Sequence, residues 1–112
     1  MNIKRAEIWL ANLDPTLGSE IKKTRPVLIV SNNANNTHDQ VVSVLPITSN
    51  TQHLFSFEVF FPKCIGNLPK DSKVKADQIR TLDKSRLIKK IGTIPNSYLA
   101  LVENAVKLHL AL

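Results

Sequence analysis

Up to Gly92 the chain alternates between short apolar runs and polar breaks; only its last stretch carries a helical period. Residues 6–11 read as a strand, with Ile8 and Leu10 on one face and Trp9 on the other. The Asp14-Pro15 step ends it as a turn. Residues 26–31 form a second run, apolar on both faces and therefore central to a sheet. Pro26 can only open this strand, because proline donates nothing to the ladder. The asparagine-rich residues 32–39 form a loop or one short helical turn. Residues 40–48 are a third strand, in which Pro46 marks a bulge or an end of pairing.

Residues 56–61 are a fourth strand, with Phe57, Val59 and Phe61 on one face, followed by a long connection over 62–71. Residues 72–79 alternate: Val74 and Ala76 point inward, while Lys73, Lys75 and Asp77 lie on an open, charged face. Residues 80–85 read as a polar turn and 86–92 as a last short strand. In residues 96–112, Leu99, Val102, Val106 and Leu110 recur at helical spacing. Pro95 or Asn96 stands at the helix start, where both are tolerated. Closely spaced strands, irregular loops and one terminal helix predict a mainly β fold with α: a small, strongly bent, barrel-like antiparallel sheet covered on one side by the C-terminal helix. With 112 residues the chain makes one domain, over 1–112, with room for a core.

Composition narrows the function classes. The net charge of +6 favours an anionic partner. The single cysteine, Cys64, excludes an intrachain disulfide and a cysteine-built zinc site, which fits a reducing cytoplasm. Residues 1–5 lead into no apolar core of the signal-peptide kind, and no run approaches membrane-spanning length.

Conventional catalytic groups are sparse. His38 and His53 sit in polar loops, and His109 flanks the helix stripe. Each fits a solvated or packing role better than an acid/base pair. The aspartates are scattered at turns, where they serve the backbone, and no metal or nucleotide motif is present. What remains is a cation with hydroxyls. The polar loop 17–25 opens with Gly18 and Ser19, passes through Lys22 and Lys23, and ends with Arg25 at the mouth of the second strand. Thr48 and Ser49 end the third strand. If these two strands pair antiparallel, Arg25 and Thr48 meet at one end of the sheet. A planar guanidinium on a rigid strand suits a phosphate. A solvated basic loop beside a strand-capping threonine has the same composition.

Several stretches decide between these readings by resemblance: Ala6-Glu7-Ile8-Trp9, Asn12-Leu13-Asp14-Pro15, Gly18-Ser19-Glu20, Lys23-Thr24-Arg25-Pro26-Val27-Leu28, Pro46-Ile47-Thr48-Ser49 and Ala76-Asp77-Gln78-Ile79-Arg80-Thr81. In order and spacing, from about residue 4 to the end, they resemble the MazF/PemK (Kid) family of toxin endoribonucleases. Ala6 departs from the glycine usual there. The resemblance implies an SH3-like barrel with a C-terminal helix and a cytoplasmic homodimer neutralised by a cognate antitoxin. It implies sequence-specific cleavage of single-stranded RNA without metal or other cofactor. It puts the essential arginine at Arg25 and the essential hydroxyl at Thr48, and carries the family's loop and Asp-Gln pair onto Gly18, Ser19, Glu20, Asp77 and Gln78.

On this reading the RNA 2′-OH attacks the adjacent phosphate, giving a 2′,3′-cyclic phosphate and a 5′-OH end. Arg25 and Thr48 stabilise the charge on the phosphorane oxygens. Leu17, Ser19, Glu20 and Gln78 select bases, as loops do in other single-strand readers, with Ser49 and Asp77 beside them. Lys22, Lys23, Arg80 and Lys84 supply the salt-dependent, sequence-blind attraction. The proton transfers stay unassigned: Arg25 is a candidate acid toward the leaving 5′ oxygen, and water or a loop residue is the base, with Glu20 a candidate by position. Two other classes fit a basic sheet of this kind: a non-enzymatic toxin resembling CcdB that binds DNA gyrase, and a plain RNA-binding module.

Overall fold

The computed structural model describes residues 1–20 and 23–112. Within them lie seven antiparallel strands: β1 (Glu7–Asn12), β2 (Thr24–Ile29), β3 (Val41–Thr48), β4 (Glu58–Phe61), β5 (Ser72–Lys75), β6 (Arg80–Asp83) and β7 (Leu87–Thr93). A short helix α1 (Asn33–His38) precedes β3, and α2 (Asn96–Leu110) closes the fold. The strand order is β4-β5-β3-β2-β1-β7, with β6 also paired to β3. The sheet is strongly bent and barrel-like but does not close, since its path ends at β4 and β7 and β6 pairs with β3 alone.

Alternation along the central strands feeds two cores on opposite faces of the sheet. Ile8, Leu28, Leu45 and Ile47 enter one, together with Phe61, Val74 and Val102. Trp9, Val27, Ile29, Val42 and Val44 enter the other, together with Ile3, Leu13 and Leu82. That is why β2 and β3 are apolar on both faces. Glu7 is buried at the rim, where its carboxylate accepts from Trp9 Nε1 at 3.0 Å and from Lys4 N–H at 2.8 Å, and pairs with Lys90 at 3.0 Å.

Several boundaries differ from the pattern-based expectation. β2 begins at Thr24, because Thr24 and Arg25 pair with Asn12 and Ala11 of β1, and Pro26 lies inside it. Pro46 is the last residue of β3 paired to β2; beyond it, Ile47 and Thr48 pair with Val74 and Lys73 of β5. The stretch 80–85 is no mere turn: Arg80–Asp83 pairs with Val41–Val44 of β3. Leu82 alone enters the core from β6, too short a signal for periodicity to detect. The strand expected over 72–79 stops at Lys75 and continues as a 3₁₀ turn, Ala76–Gln78. Its Lys73 is buried rather than on an open face, because β4 sets Glu58 beside it.

Helix α2 ends two residues before the C-terminus. Ala111 takes a left-handed conformation, and the Ala111 and Leu112 N–H groups return to the Leu108 and Lys107 carbonyls. Val102 and Ala105 are its buried residues, while Leu110 is largely exposed.

Candidate active site

β2 and β3 pair through Val27–Pro46, Leu28–Leu45 and Ile29–Val44. Continuing this register past Val27 brings Arg25 and Thr48 to the same sheet end, where the two strands part. Neither Pro26 nor Pro46 has an N–H with which to extend the ladder. A cavity of about 150 Å³ opens there, lined by Arg25, Pro26, Thr48, Ser49, Lys70 and Ser72 among others. Thr48 Oγ1 accepts the Asn50 N–H at 3.2 Å. Its own hydroxyl hydrogen is thus left to donate to a ligand.

Two further cavities adjoin this one through shared residues. Thr48 also lines a space of about 230 Å³ with Ser19, Asn50, Lys73, Lys75 and Gln78. Gln78 in turn lines one of about 200 Å³ with Glu20, Asp77, Ile79 and Arg80. Gln78 Nε2 reaches the Ser19 carbonyl at 3.4 Å, tying the loop to the 3₁₀ turn. Together the three cavities make a groove walled, among the described residues, by Arg25, Lys70, Lys73, Lys75 and Arg80 and by two carboxylates, Glu20 and Asp77. An excess of cations over anions in a long, shallow groove fits a polyanion.

The loop has its own internal support. Glu20 Oε1 accepts the Leu17 N–H at 2.6 Å, and the Glu20 N–H donates to the Leu17 carbonyl at 3.2 Å. Gly18, at φ +58°, supplies the left-handed turn between them. Lys23 closes the loop: its N–H donates to Asp14 Oδ1 at 3.0 Å, and its carbonyl accepts from Leu13 at 3.0 Å. Arg80 donates to the Leu13 carbonyl at 3.3 Å, and Arg86 to the Asn12 and Asp14 carbonyls.

Of the residues expected at the site, Arg25, Thr48, Ser49, Ser19, Glu20, Asp77, Gln78 and Arg80 line this groove. Leu17 and Gly18 stand exposed on the loop and do not line it. Lys23 is exposed, its backbone fastening the loop; Lys22 lies outside the described residues. Sequence reasoning missed Lys70, Asn50, Lys73 and Lys75. The last two lie on the face opposite Val74, as their alternation predicts, but that face is not open: the β4–β5 register sets Glu58 against them. Among the described residues no histidine lines the groove, and no three His, Cys, Asp or Glu side chains converge on a metal-sized site.

A wider cavity of about 610 Å³ lies between α2 and the β2–α1 connection. Its Arg5 is already committed to Glu103 at 2.8 Å and to the Val30 carbonyl. It lacks the concentration of cations found around Thr48.

The sequence and the fold both match known proteins. Residues 4–110 match the family described as PemK-like, MazF-like toxin of type II toxin–antitoxin system. The chain is 39% identical over 115 aligned positions to endoribonuclease MazF9 of Mycobacterium tuberculosis, covering 98% of each. Its fold superimposes on MazF from Deinococcus radiodurans with a TM-score of 0.87 at 27% identity, covering 100% of this chain and 99% of that one. It also resembles a mycobacterial endoribonuclease solved in complex with its cognate antitoxin: TM-score 0.82, 26% identity, 98% and 96% covered.

Proposed function

The chain belongs to the PemK-like, MazF-like toxin family of type II toxin–antitoxin systems, and from that premise we propose that it is an endoribonuclease toxin that cuts single-stranded RNA in the groove around Arg25 and Thr48. The observation that carries the assignment is the shared cavity of these two residues where β2 and β3 separate. A guanidinium and a hydroxyl at one rigid sheet end can grip two oxygens of the same phosphate.

RNA brings its own nucleophile. The 2′-OH gives its proton to water or to a loop residue, its oxygen bonds to phosphorus, and the bond from phosphorus to the 5′ oxygen breaks as that oxygen takes up a proton from water. The products are a 2′,3′-cyclic phosphate and a 5′-OH end. The work of Arg25 is electrostatic: its guanidinium neutralises charge that grows on the phosphorane oxygens. Thr48 donates its hydroxyl hydrogen to a second oxygen. Ser19, Glu20, Asp77 and Gln78 line the groove beyond Thr48, where flanking bases would lie, and give the site its sequence preference. No step calls for a metal.

The same premise makes a cognate antitoxin the natural partner, its acidic segment filling the cationic groove. It also makes the working form a homodimer, for which the exposed Phe60, Leu101 and Leu108 around the β4–α2 groove supply apolar surface. No helix is long and apolar enough to cross a membrane; cytoplasmic action on mRNA follows from the proposed reaction. The test is cleavage of a long single-stranded transcript in EDTA by wild type, Arg25→Ala and Thr48→Ala, with mapping of the 5′ ends. Wild-type cutting that leaves 5′-OH ends, lost in both variants, is the expected result. Intact RNA together with inhibition of DNA gyrase would overturn the assignment.

A further inference from the structure

Glu58 on β4 lies opposite Lys75 of β5, and Phe60 opposite Lys73. Side chains two residues apart on a strand share a face, so both lysines converge on the one carboxylate. The Glu58 side chain is fully buried, with Oε2 2.7 Å from Lys75 Nζ and Oε1 3.1 Å from Lys73 Nζ. Oε1 also accepts the Phe55 N–H at 2.9 Å, and Lys73 donates in addition to the His53 carbonyl. Burial alone would push the Glu58 carboxyl up. The hydrogen bonds from Lys75, Phe55 and Lys73, with the Lys75 charge, outweigh burial and hold it below the usual carboxylate range.

Buried ion pairs are often replaceable by apolar side chains at no loss of stability, so stability alone does not account for such a cluster. Its location points to another use. Lys73 and Lys75 both line the cavity they share with Thr48 and Gln78. An exposed lysine surrenders rotamer freedom when it grips an anion, whereas these two stems are already fixed. Lys75 meets Glu58 with one of its three N–H donors, and its other neighbouring anion, Asp77 Oδ1, is 4.0 Å away. That oxygen has no hydrogen-bond partner among the described residues. Donor capacity on Lys75 thus remains available to the cavity.

We propose that Glu58 is a positioning residue of the RNA groove: it holds the Lys73 and Lys75 ammonium groups in the wall of the Thr48 cavity, where they take a backbone phosphate next to the one held by Arg25 and Thr48. The inference rests on the endoribonuclease reading. It gives the RNA strand a second fixed point and so fixes its path through the groove.

The experiment compares wild type with Lys73→Met, Lys75→Met, Glu58→Gln and the Glu58→Gln/Lys75→Met double variant. Cleavage is followed on a long single-stranded transcript in EDTA. Binding is followed against NaCl on a 2′-O-methyl oligonucleotide copied from a mapped cut site. Each lysine variant is expected to lose about tenfold in kcat/KM, chiefly through KM, and to lower the salt slope by about 0.7, the share of one single-strand phosphate. Glu58→Gln is expected to lose at least as much, and to add a smaller loss in the Lys75→Met background than in wild type, because only Lys73 is then left for it to hold.

Wild type that cuts no RNA refutes the endoribonuclease reading itself. Wild type that cuts, with both lysine variants binding and cutting as it does, overturns this inference alone. Fully multiplicative losses in the double variant overturn the positioning role of Glu58. If Glu58→Gln does not fold, Glu58→Gln/Lys73→Met, which removes the anion together with one cation, replaces it. This variant is expected to bind more weakly than Lys73→Met, and equal binding by the two overturns the role of Glu58.

Discussion

Val27 faces Pro46 across the β2–β3 ladder, and theirs is the last pair before the strands part. Arg25 and Thr48 lie two residues further along their respective strands and line the gap that results. The proposed reactive pair is therefore built on backbone held by regular pairing to β1 and β5. Only the space between its members is irregular.

This arrangement makes the Thr48 hydroxyl a donor, since its oxygen already accepts from the Asn50 N–H. Thr48→Ser keeps the hydroxyl and should retain cleavage within about tenfold, whereas Thr48→Val, of similar shape, should lose about 10²–10³-fold, as when one oxyanion donor is removed. Single-turnover rates on a transcript containing a mapped cut site check this, with thermal melting to show that both variants fold. Equal loss in both variants would assign Thr48 a packing role.

Glu20 stood among the candidate bases by position alone. Its carboxylate spends one oxygen on the Leu17 N–H at 2.6 Å, which shapes the loop around Gly18. Glu20→Gln preserves an acceptor there. It should therefore keep the shape of the pH–rate profile while changing which sequences are cut. An acid limb that vanishes in this variant would instead make Glu20 the general base.

The fold was legible where the signal was periodic. Two-sided apolarity puts β2 and β3 at the centre, and antiparallel pairing of the two brings Arg25 and Thr48 to one sheet end. The misreadings came from places where a partner strand sets the outcome. Lys73 alternates like a surface lysine, yet Glu58 on β4 draws it inward. β6 looks like a turn because only Leu82 of its four residues is apolar and buried. Alternation reports which residues share a face, and pairing decides what that face meets.

Buried carboxylates make stability depend on acid. Burial pushes the Glu7 carboxyl up, but hydrogen bonds from Lys4, Trp9 and Lys90, with the Lys90 charge, hold it below the ordinary value of 4.5. The unfolded chain thus binds this proton more tightly than the folded one. Its contribution is complete above about pH 4.5 and is lost as pH falls through the lowered folded value. Glu7→Gln should lower stability at neutral pH by about 1–3 kcal/mol and flatten the acid side of the stability profile. Urea unfolding between pH 3 and pH 7 (roughly the span over which carboxylates titrate) measures both, and an unchanged acid slope would contradict the assignment.

Packing far from the cations should reach the groove through Gly92. A Cβ there would fall 2.3 Å from the Gly66 carbonyl oxygen and 2.6 Å from its carbon, and both are backbone atoms that cannot swing aside. The Ile65–Asn67 turn that contains Gly66 leads directly into Leu68, Pro69 and Lys70, which wall the Arg25–Thr48 cavity. Gly92→Ala must therefore push this turn outward. It should cost about 1–3 kcal/mol in urea unfolding, as overpacking does, and it should also slow cleavage although residue 92 touches no groove residue. Gly18→Ala separates strain from clash: Gly18 takes a left-handed φ of +58°, but a Cβ there meets nothing within 4 Å. Its stability loss should stay near 1 kcal/mol, with any change in cleavage confined to sequence preference. If Gly92→Ala destabilises the fold but cleaves at the wild-type rate, the wall formed by residues 68–70 does not shape the reaction.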